Sequence, residues 1–377
     1  QERELIAANR NKHHPRSSNA PSCRSVTPGG IAKRIAPYVV GLALLTGVRL
    51  SGIAQNLDLL LYDLITTLRP AASGNKQPIT IIGIEENDIR RYGWPIDDHL
   101  FCQGIDLLSK NGALAIGFDI YRDQGVGANQ ACLRERFRNN SRLVSIFNKD
   151  IGITAVPGTP PERQSHNINS LDQDNVIRRD LVHVKGQDEA NVAFPLRVIE
   201  VGTGNKKLRQ QLEAGTVSDA WLSANSGGYF RQNAAGPGIQ RLLIFREPDS
   251  FSTYSLSELL DEDIPDQAIK NQLVLIGSTA PSLKDLFPIP HSRFSEGDVQ
   301  LLMPGVEIHA LRLAALLERQ NGQLIQGFLM PGWGNILLSL IAAGTGLALG
   351  EAFATLRRSV IVVMTTAIAI SAGLVIL

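Results

Sequence analysis

The sequence has little of what marks a disulfide-stapled, nucleic-acid-binding or motif-defined catalytic protein. Only three cysteines occur in 377 residues, Cys23, Cys102 and Cys132, too few for a disulfide framework. Cys23 falls in a basic leading stretch, so within the central region only Cys102 and Cys132 could pair, and their separation along the chain does not decide it. Neither sign of charge is in excess: 37 Lys and Arg face 36 Asp and Glu, a formal +1. Nucleic-acid binding usually shows as a basic excess, so no nucleic-acid partner is expected. Catalytic signatures are missing too. There is no G-x-x-x-x-G-K-[ST] phosphate loop, no G-x-S-x-G nucleophile elbow and no H-x-x-x-H pair. Asp172, Asp174 and Asn175 open like a calcium loop but lack the Gly and Glu that complete one. Neither a metal nor a cofactor is expected.

What is present is unevenly spread. Residues 1–34 carry +5, residues 35–330 carry −5 and residues 331–377 carry +1. A basic tail, an acidic middle and a nearly uncharged end do not describe one soluble globule. From Ile35 onward about 20 mostly apolar residues run to Asp58, interrupted by Arg49, a length that suits a bilayer crossing. Lys33 and Arg34 before it place the tail in the cytoplasm by the positive-inside rule. A second uncharged run centres on Phe328 to Gly350, with Trp333 as an interfacial anchor. Its small residues, Gly344 among them, allow close helix packing in lipid. Arg357 and Arg358 form a short basic loop before a third run, Ser359 to Leu377.

The expected organisation is a cytoplasmic tail over 1–34, a span over 35–57, an extracytoplasmic domain over 58–327, a span over 328–350, a cytoplasmic loop over 351–358 and a last span over 359–377. The location is then a bacterial inner membrane, crossed several times. A chain that starts at Gln is expected to continue into something larger.

The middle alternates apolar runs with helical patterns. Strands are expected at Ile79–Ile84, Leu114–Ile120, Leu143–Phe147, Leu242–Phe245 and Leu273–Gly277, and the first, second and last are apolar enough to be covered on both faces. Helices are expected over Asp98–Lys110, Asn129–Asn139, Ala193–Val201, Ser255–Leu260 and Val306–Glu318. The fold class is therefore α/β, a mainly parallel sheet with helices on both faces, plus three transmembrane helices. Leu57–Leu68 reads as a helix leaving the membrane, stopped at Arg69 and Pro70. Residues 202–240, rich in Gly, Asn and Ser, read as an irregular insertion.

Ligands of open α/β sheets bind beyond the carboxyl ends of the strands. Glu85 follows the first strand, and Asp119 and Asp123 end the second; Glu85 with Asp119 is the expected core of a site for a cation or polar ligand. The alternative is that these are caps and loop salt bridges, with Asn87 or Asp88 capping and Arg122 as a partner. Gly277, Ser278, Thr279 and Ala280 follow the last strand and could hold an anion if a helix starts there; a tight turn is the simpler reading.

Taken in order, several blocks resemble the second type of CHASE sensory domain, an extracytoplasmic module of bacterial signalling proteins. They are LYDLITTLRP with Asp63, Arg69 and Pro70; ITIIGIEENDI followed by Gly93, Trp94 and Pro95; GALAIGFDIYRD with Gly117 and Asp119; DNVIRRD with Arg178 and Arg179; and NQLVLIGSTAPSLKDLFPIP with MPGVEIHA, carrying Gly277, Asp285, Pro304, Gly305, Glu307 and His309. The resemblance covers about 55–325 and is loose over 150–240. It implies a sensor that passes an external signal to a cytoplasmic output domain, in cis or on a partner protein, with no enzyme activity in this chain. The two-span ending looks most like a cyanobacterial subgroup in which a caspase-like (CHAT) protease domain precedes the first span. On this reading the ligand contacts are Glu85, Asp119, Asp123, Arg178, Arg179, Ser278 and Asp285, and signal transmission runs through Tyr62, Asp63, Arg69 and Gly344. The partners are the lipid bilayer, an unidentified small-molecule ligand and a second copy in a homodimer. A membrane-tethered enzyme and a ligand-free dimerisation module are the alternatives.

Overall fold

The computed structural model describes residues 28–51, 55–68, 77–184, 192–216, 238–243, 245–246, 250–294 and 301–320, with scattered helical positions between 334 and 349. The strands are β1 Ile79–Ile84, β2 Ala115–Asp119, β3 Leu143–Phe147, β4 Gln164–His166, β5 Ser170–Leu171, β6 Ile177–Val184, β7 Gly238–Leu242, β8 Ser252–Ser255, β9 Leu273–Ser278, β10 Leu286–Pro288 and β11 Leu302–Pro304. The helices are α1 Pro28–Ser51, α2 Gln55–Leu68, α3 Glu86–Tyr92, α4 Asp98–Lys110, α5 Ala131–Asn139, α6 Phe194–Thr203, α7 Lys207–Glu213, α8 Leu256–Leu260 and α9 Gly305–Gln320.

Six strands form one parallel sheet in the order β4-β3-β2-β9-β1-β8. β1, β2 and β3 are buried along their whole length, because side chains alternate between two covered faces. Ile82, Ile84, Ile116, Phe118, Val274 and Ile276 meet α4, α5 and α8 through Phe101, Ile105, Phe137 and Leu259. Ile79, Ile81, Ala115, Leu273 and Leu275 meet α6 and α9 through Phe194, Val198, Val306 and Ala310. The α/β class and the mainly parallel sheet expected from the sequence are thus observed.

Local signals explain the elements that place the site. In α4 the Asp97 carboxylate accepts from the His99 N–H at 3.0 Å, and Phe101, Ile105 and Leu108 recur on one buried face. In α8 Ser255 and Glu258 cap reciprocally. The Asp88 carboxylate, fully buried, accepts from the N–H groups of Glu85, Leu256 and Ser257 and so binds the starts of α3 and α8 together. Cys102 and Cys132 are joined, cross-linking α4 to α5.

A smaller antiparallel sheet, β5-β6-β7, lies apart from the large one. The apolar run at Leu242–Phe245 does not enter the parallel sheet as expected. The strand there is β7, ending at Leu242, and Phe245 instead packs with Ile177, Leu243 and Ile289. Part of the stretch read as irregular forms α7. β4 and β8 are polar, with the sequences QSH and STYS. Pairing to a neighbour, not a hydrophobic pattern, makes them strands.

Among the described residues no helix is long and apolar enough to cross a membrane. The first expected span falls on α1, which carries Lys33, Arg34 and Arg49. The second is described only at scattered helical positions, and 351–377 lies outside the described residues.

Candidate functional site

α9 packs along one face of the parallel sheet, and its first turn lies beside the carboxyl end of β9. Asp119, the last residue of β2, sits on the α9 face beside Gly277 of β9. A Cβ at Gly277 would stand 2.7 Å from the Cβ of Val306, so a glycine here lets α9 approach the sheet. Gly305 plays the same part against Asp285, whose Oδ2 would lie 2.6 Å from an added Cβ. The Asp285 carbonyl accepts from the Gly305 N–H at 3.0 Å.

Around the buried Asp119 carboxyl stand His309 and Asn167, with the half-buried Asp285 beside the start of α9. Asp119 Oδ2 lies 3.7 Å from His309 Nε2, beyond a direct hydrogen bond. Its Oδ1 faces the Asn167 amide at 3.4 Å, and Asn167 in turn accepts from the Tyr121 hydroxyl at 2.8 Å. Burial, helped by the Asp285 carboxylate and opposed by Asn167 and Arg312, pushes the Asp119 carboxyl up to about 7. Burial raises Asp285 too. It pushes His166 down to about 3, with Arg312 and His183 adding to the effect, and holds His309 well below its ordinary value with help from Arg312 and His166. Both ring nitrogens of His166 and the Nδ1 of His309 are buried without a hydrogen-bond partner among the described residues. Burial thus favours the neutral form of both imidazoles and the protonated form of Asp119.

A second constellation ties α2 to the domain. Arg178, fully buried on β6, forms a fork with both oxygens of Asp63 at 2.6 Å and also donates to Asp172 and Asp174. Arg179 bonds Asp172 and Gln240. Arg293 pairs with Asp63 at 3.2 Å and also with Asp174. Three arginines and three aspartates thus balance. Burial opposes the charge on Arg178, but the hydrogen bonds to Asp63 and Asp174 outweigh it and raise its pKa. Next to Asp63, the Tyr62 hydroxyl donates to the Leu243 carbonyl at 2.9 Å.

The expected site residues divide accordingly. Asp119 meets His309, and Asp285 lies near enough for its charge to raise the Asp119 pKa, without a direct contact between the two. Glu85 does not meet Asp119, because β9 runs between their strands. It stands at the start of α3, in an open cleft of about 300 Å³ with Glu86, Asn87, Arg90, Thr279 and Pro281. Burial, then Asp88 and Glu258, raises its pKa. Asp123 lies in the loop beyond β2 and takes part in none of these contacts. Ser278, at the end of β9, keeps its buried hydroxyl unpaired, and by alternation it points away from Asp119. The turn after it is no anion cradle: the N–H groups of Thr279 and Ala280 both go to the Ile84 carbonyl. Arg122 pairs with Asp98, not with Asp119 or Asp123. Arg69 lies outside the described residues. Gly344 is helical and exposed, with nothing within 4 Å of an added Cβ.

Sequence reasoning missed His166, Asn167 and Arg312. Arg312 donates to Asn169 at 2.8 Å and lies 3.3 Å from Asp180, which also holds Arg241. The missed signal was the three-residue spacing of His309 and Arg312 on α9, which puts both on one face.

Comparison with known families adds one match. The CHASE2 domain matches residues 39–348, most of the chain. No curated protein and no solved structure matches it. The chain belongs to the CHASE2 domains, extracellular sensory modules found in signalling proteins.

Proposed function

We propose that this chain is the extracytoplasmic sensory region of a bacterial transmembrane signalling protein. Residues 35–57, 328–350 and 359–377 anchor it, and α2 passes its state inward to an output domain in cis or on a partner protein. The observation that carries the reading is the latch on α2. Tyr62 and Asp63, on the helix that follows α1 in the chain, are held by the carbonyl of Leu243 and by the buried arginine cluster. A change in the domain that alters the cluster must then alter the seating of α2. A signal acts on such a device only through different affinities for its two arrangements. The Cys102–Cys132 bond supports an oxidising, extracytoplasmic surrounding. The uncharged runs and the exposed Val39, Val40 and Leu44 of α1 favour contact with lipid. Family members are sensory, so turnover is assigned to another domain, with a caspase-like (CHAT) domain as one form of it.

The test uses the native Cys23 of the tail and a new thiol at Leu171, an exposed position on β5. A membrane-impermeant thiol reagent added to intact cells is expected to label Leu171→Cys at once and Cys23 only after permeabilisation. Labelling of Cys23 with Leu171→Cys protected would overturn the topology.

A further inference from the structure

α2 and α9, the first and last helices packed on the domain, are held by the same piece of chain. β7 ends at Leu242, and the residues around that end reach in two directions. Towards α2, the Leu243 carbonyl accepts from the Tyr62 hydroxyl at 2.9 Å. The Leu243 N–H donates to the Arg178 carbonyl at 2.9 Å, and the Arg178 side chain forks onto Asp63. The Leu243 backbone is thus pinned to the residue that grips α2. Towards α9, Arg241 donates to the Arg312 carbonyl at 3.0 Å and shares Asp180 with the Arg312 side chain. In the last turn of α9, Glu318 pairs with Arg246. Between these polar ties, Leu243 and Phe245 pack with Ile308 and Leu311 of α9.

We propose that the end of β7, through Arg241, Leu243, Phe245 and Arg246, is a brace that binds α2 and α9 to each other, so that the two helices shift as one unit. This deepens the sensory reading above and rests on it: α2 follows the first proposed span and α9 precedes the second, so the brace delivers one displacement of the domain to both. Its stiffness comes from burial and from a short reach. Arg241 is 1 % exposed and Arg246 8 % exposed. A guanidinium in so dry a place cannot slide off its carboxylate without leaving a buried charge unpaired, so each tie has a fixed seat. The chain from Leu243 to Arg246 spans about 10 Å at full extension, too little to take up slack between the helices. A second link exists at the turn Pro290–Arg293, where Arg293 meets Asp63. That turn leads through β11 to the first turn of α9 only. The brace grips α9 at Arg312 and Glu318, at the end that continues towards the second span.

The experiment is hydrogen exchange of the complete chain in detergent, read at α2, at the C-terminal half of α9 and at β1 as an internal reference. Tyr62→Phe removes the hydroxyl that reaches Leu243. It is expected to speed exchange in α2 and, by on the order of fivefold, in α9 around Glu318, with β1 unchanged. Glu318→Gln, at the other end, should in turn speed exchange in α2, because coupling between two sites is reciprocal. Should Glu318→Gln not fold, Tyr62→Phe alone decides. Loosening confined to the helix that carries the substitution overturns the brace. Equal acceleration of β1 overturns it too, since that marks opening of the whole domain. Arg293→Met tests the second link: if α9 responds to it and not to Tyr62→Phe, the turn carries the coupling and the brace falls. The brace and the sensory reading fail separately. The coupling is read without reference to the membrane, whereas thiol labelling reads topology alone. A reversed labelling pattern with coupled helices keeps the brace and removes the reading.

Discussion

Asp119 illustrates how one residue stores a pH dependence in a fold. Its folded pKa, near 7, lies above the 3.8 of an exposed aspartate. The folded state therefore holds a proton that the unfolded state has released. The stability Asp119 confers is complete below the ordinary aspartate range and is lost as pH rises through about 7. Asp119→Asn should remove this decline, so that its melting temperature relative to the wild type improves with pH up to about 8; a constant difference would count against the buried carboxyl. His166 acts oppositely. Its contribution is complete above its ordinary 6.5 and fades as pH falls towards about 3. Replacing it with Gln should flatten the acid limb of a thermal melt series. Gly277 is a steric requirement. Gly277→Ala sets a methyl 2.7 Å from the Val306 Cβ, a position that cannot rotate away. The expected cost in chemical denaturation is about 1–3 kcal/mol.

At the scale of elements, the fastening of α2 and the α4–α5 pair matter most. Arg178 serves three carboxylates with one planar fork, which a lysine cannot reproduce. Arg178→Lys leaves buried aspartates under-paired and should cost about 3 kcal/mol. The loss should appear first as protease sensitivity near α2, before the parallel sheet melts. The Cys102–Cys132 bond spans 30 positions of sequence. Chain-entropy arguments give such a loop about 3–4 kcal/mol. Cys102→Ala with Cys132→Ala should lower the denaturation midpoint by a corresponding amount, and reductant should have little further effect on that variant.

For the whole molecule, the parallel sheet is the rigid body and α2 its handle. α2 leaves Leu57, Leu60, Leu64 and Leu68 exposed at spacings of three and four, the pattern of a helix that pairs with a like helix. The homodimer expected of a signalling role would use this stripe. Leu64→Cys should then cross-link between copies in membranes under mild oxidation, whereas Trp94→Cys, exposed elsewhere on the domain, should not.

The parallel strands were legible because strands buried on both faces must be apolar throughout, as ITIIGI and LVLIG are. α4 was legible at both ends because its apolar spacing starts behind an aspartate cap and closes on Lys110. The blocks that identify the family could be read in order without coordinates. β4 and β8 could not, since QSH and STYS become strands only through their neighbours. The candidate site was half legible. Acidic residues at strand ends mark themselves, but strand order does not, and β9 entering between β1 and β2 separates Glu85 from Asp119. The same long-range pairing carries His309 to Asp119, and Arg178 to Asp63, 115 residues apart in the chain. Local composition fixes which residues are acidic, apolar or capping. Only tertiary pairing decides which charges share a dry interior, because desolvation and repulsion exist only between groups that the fold has brought into contact.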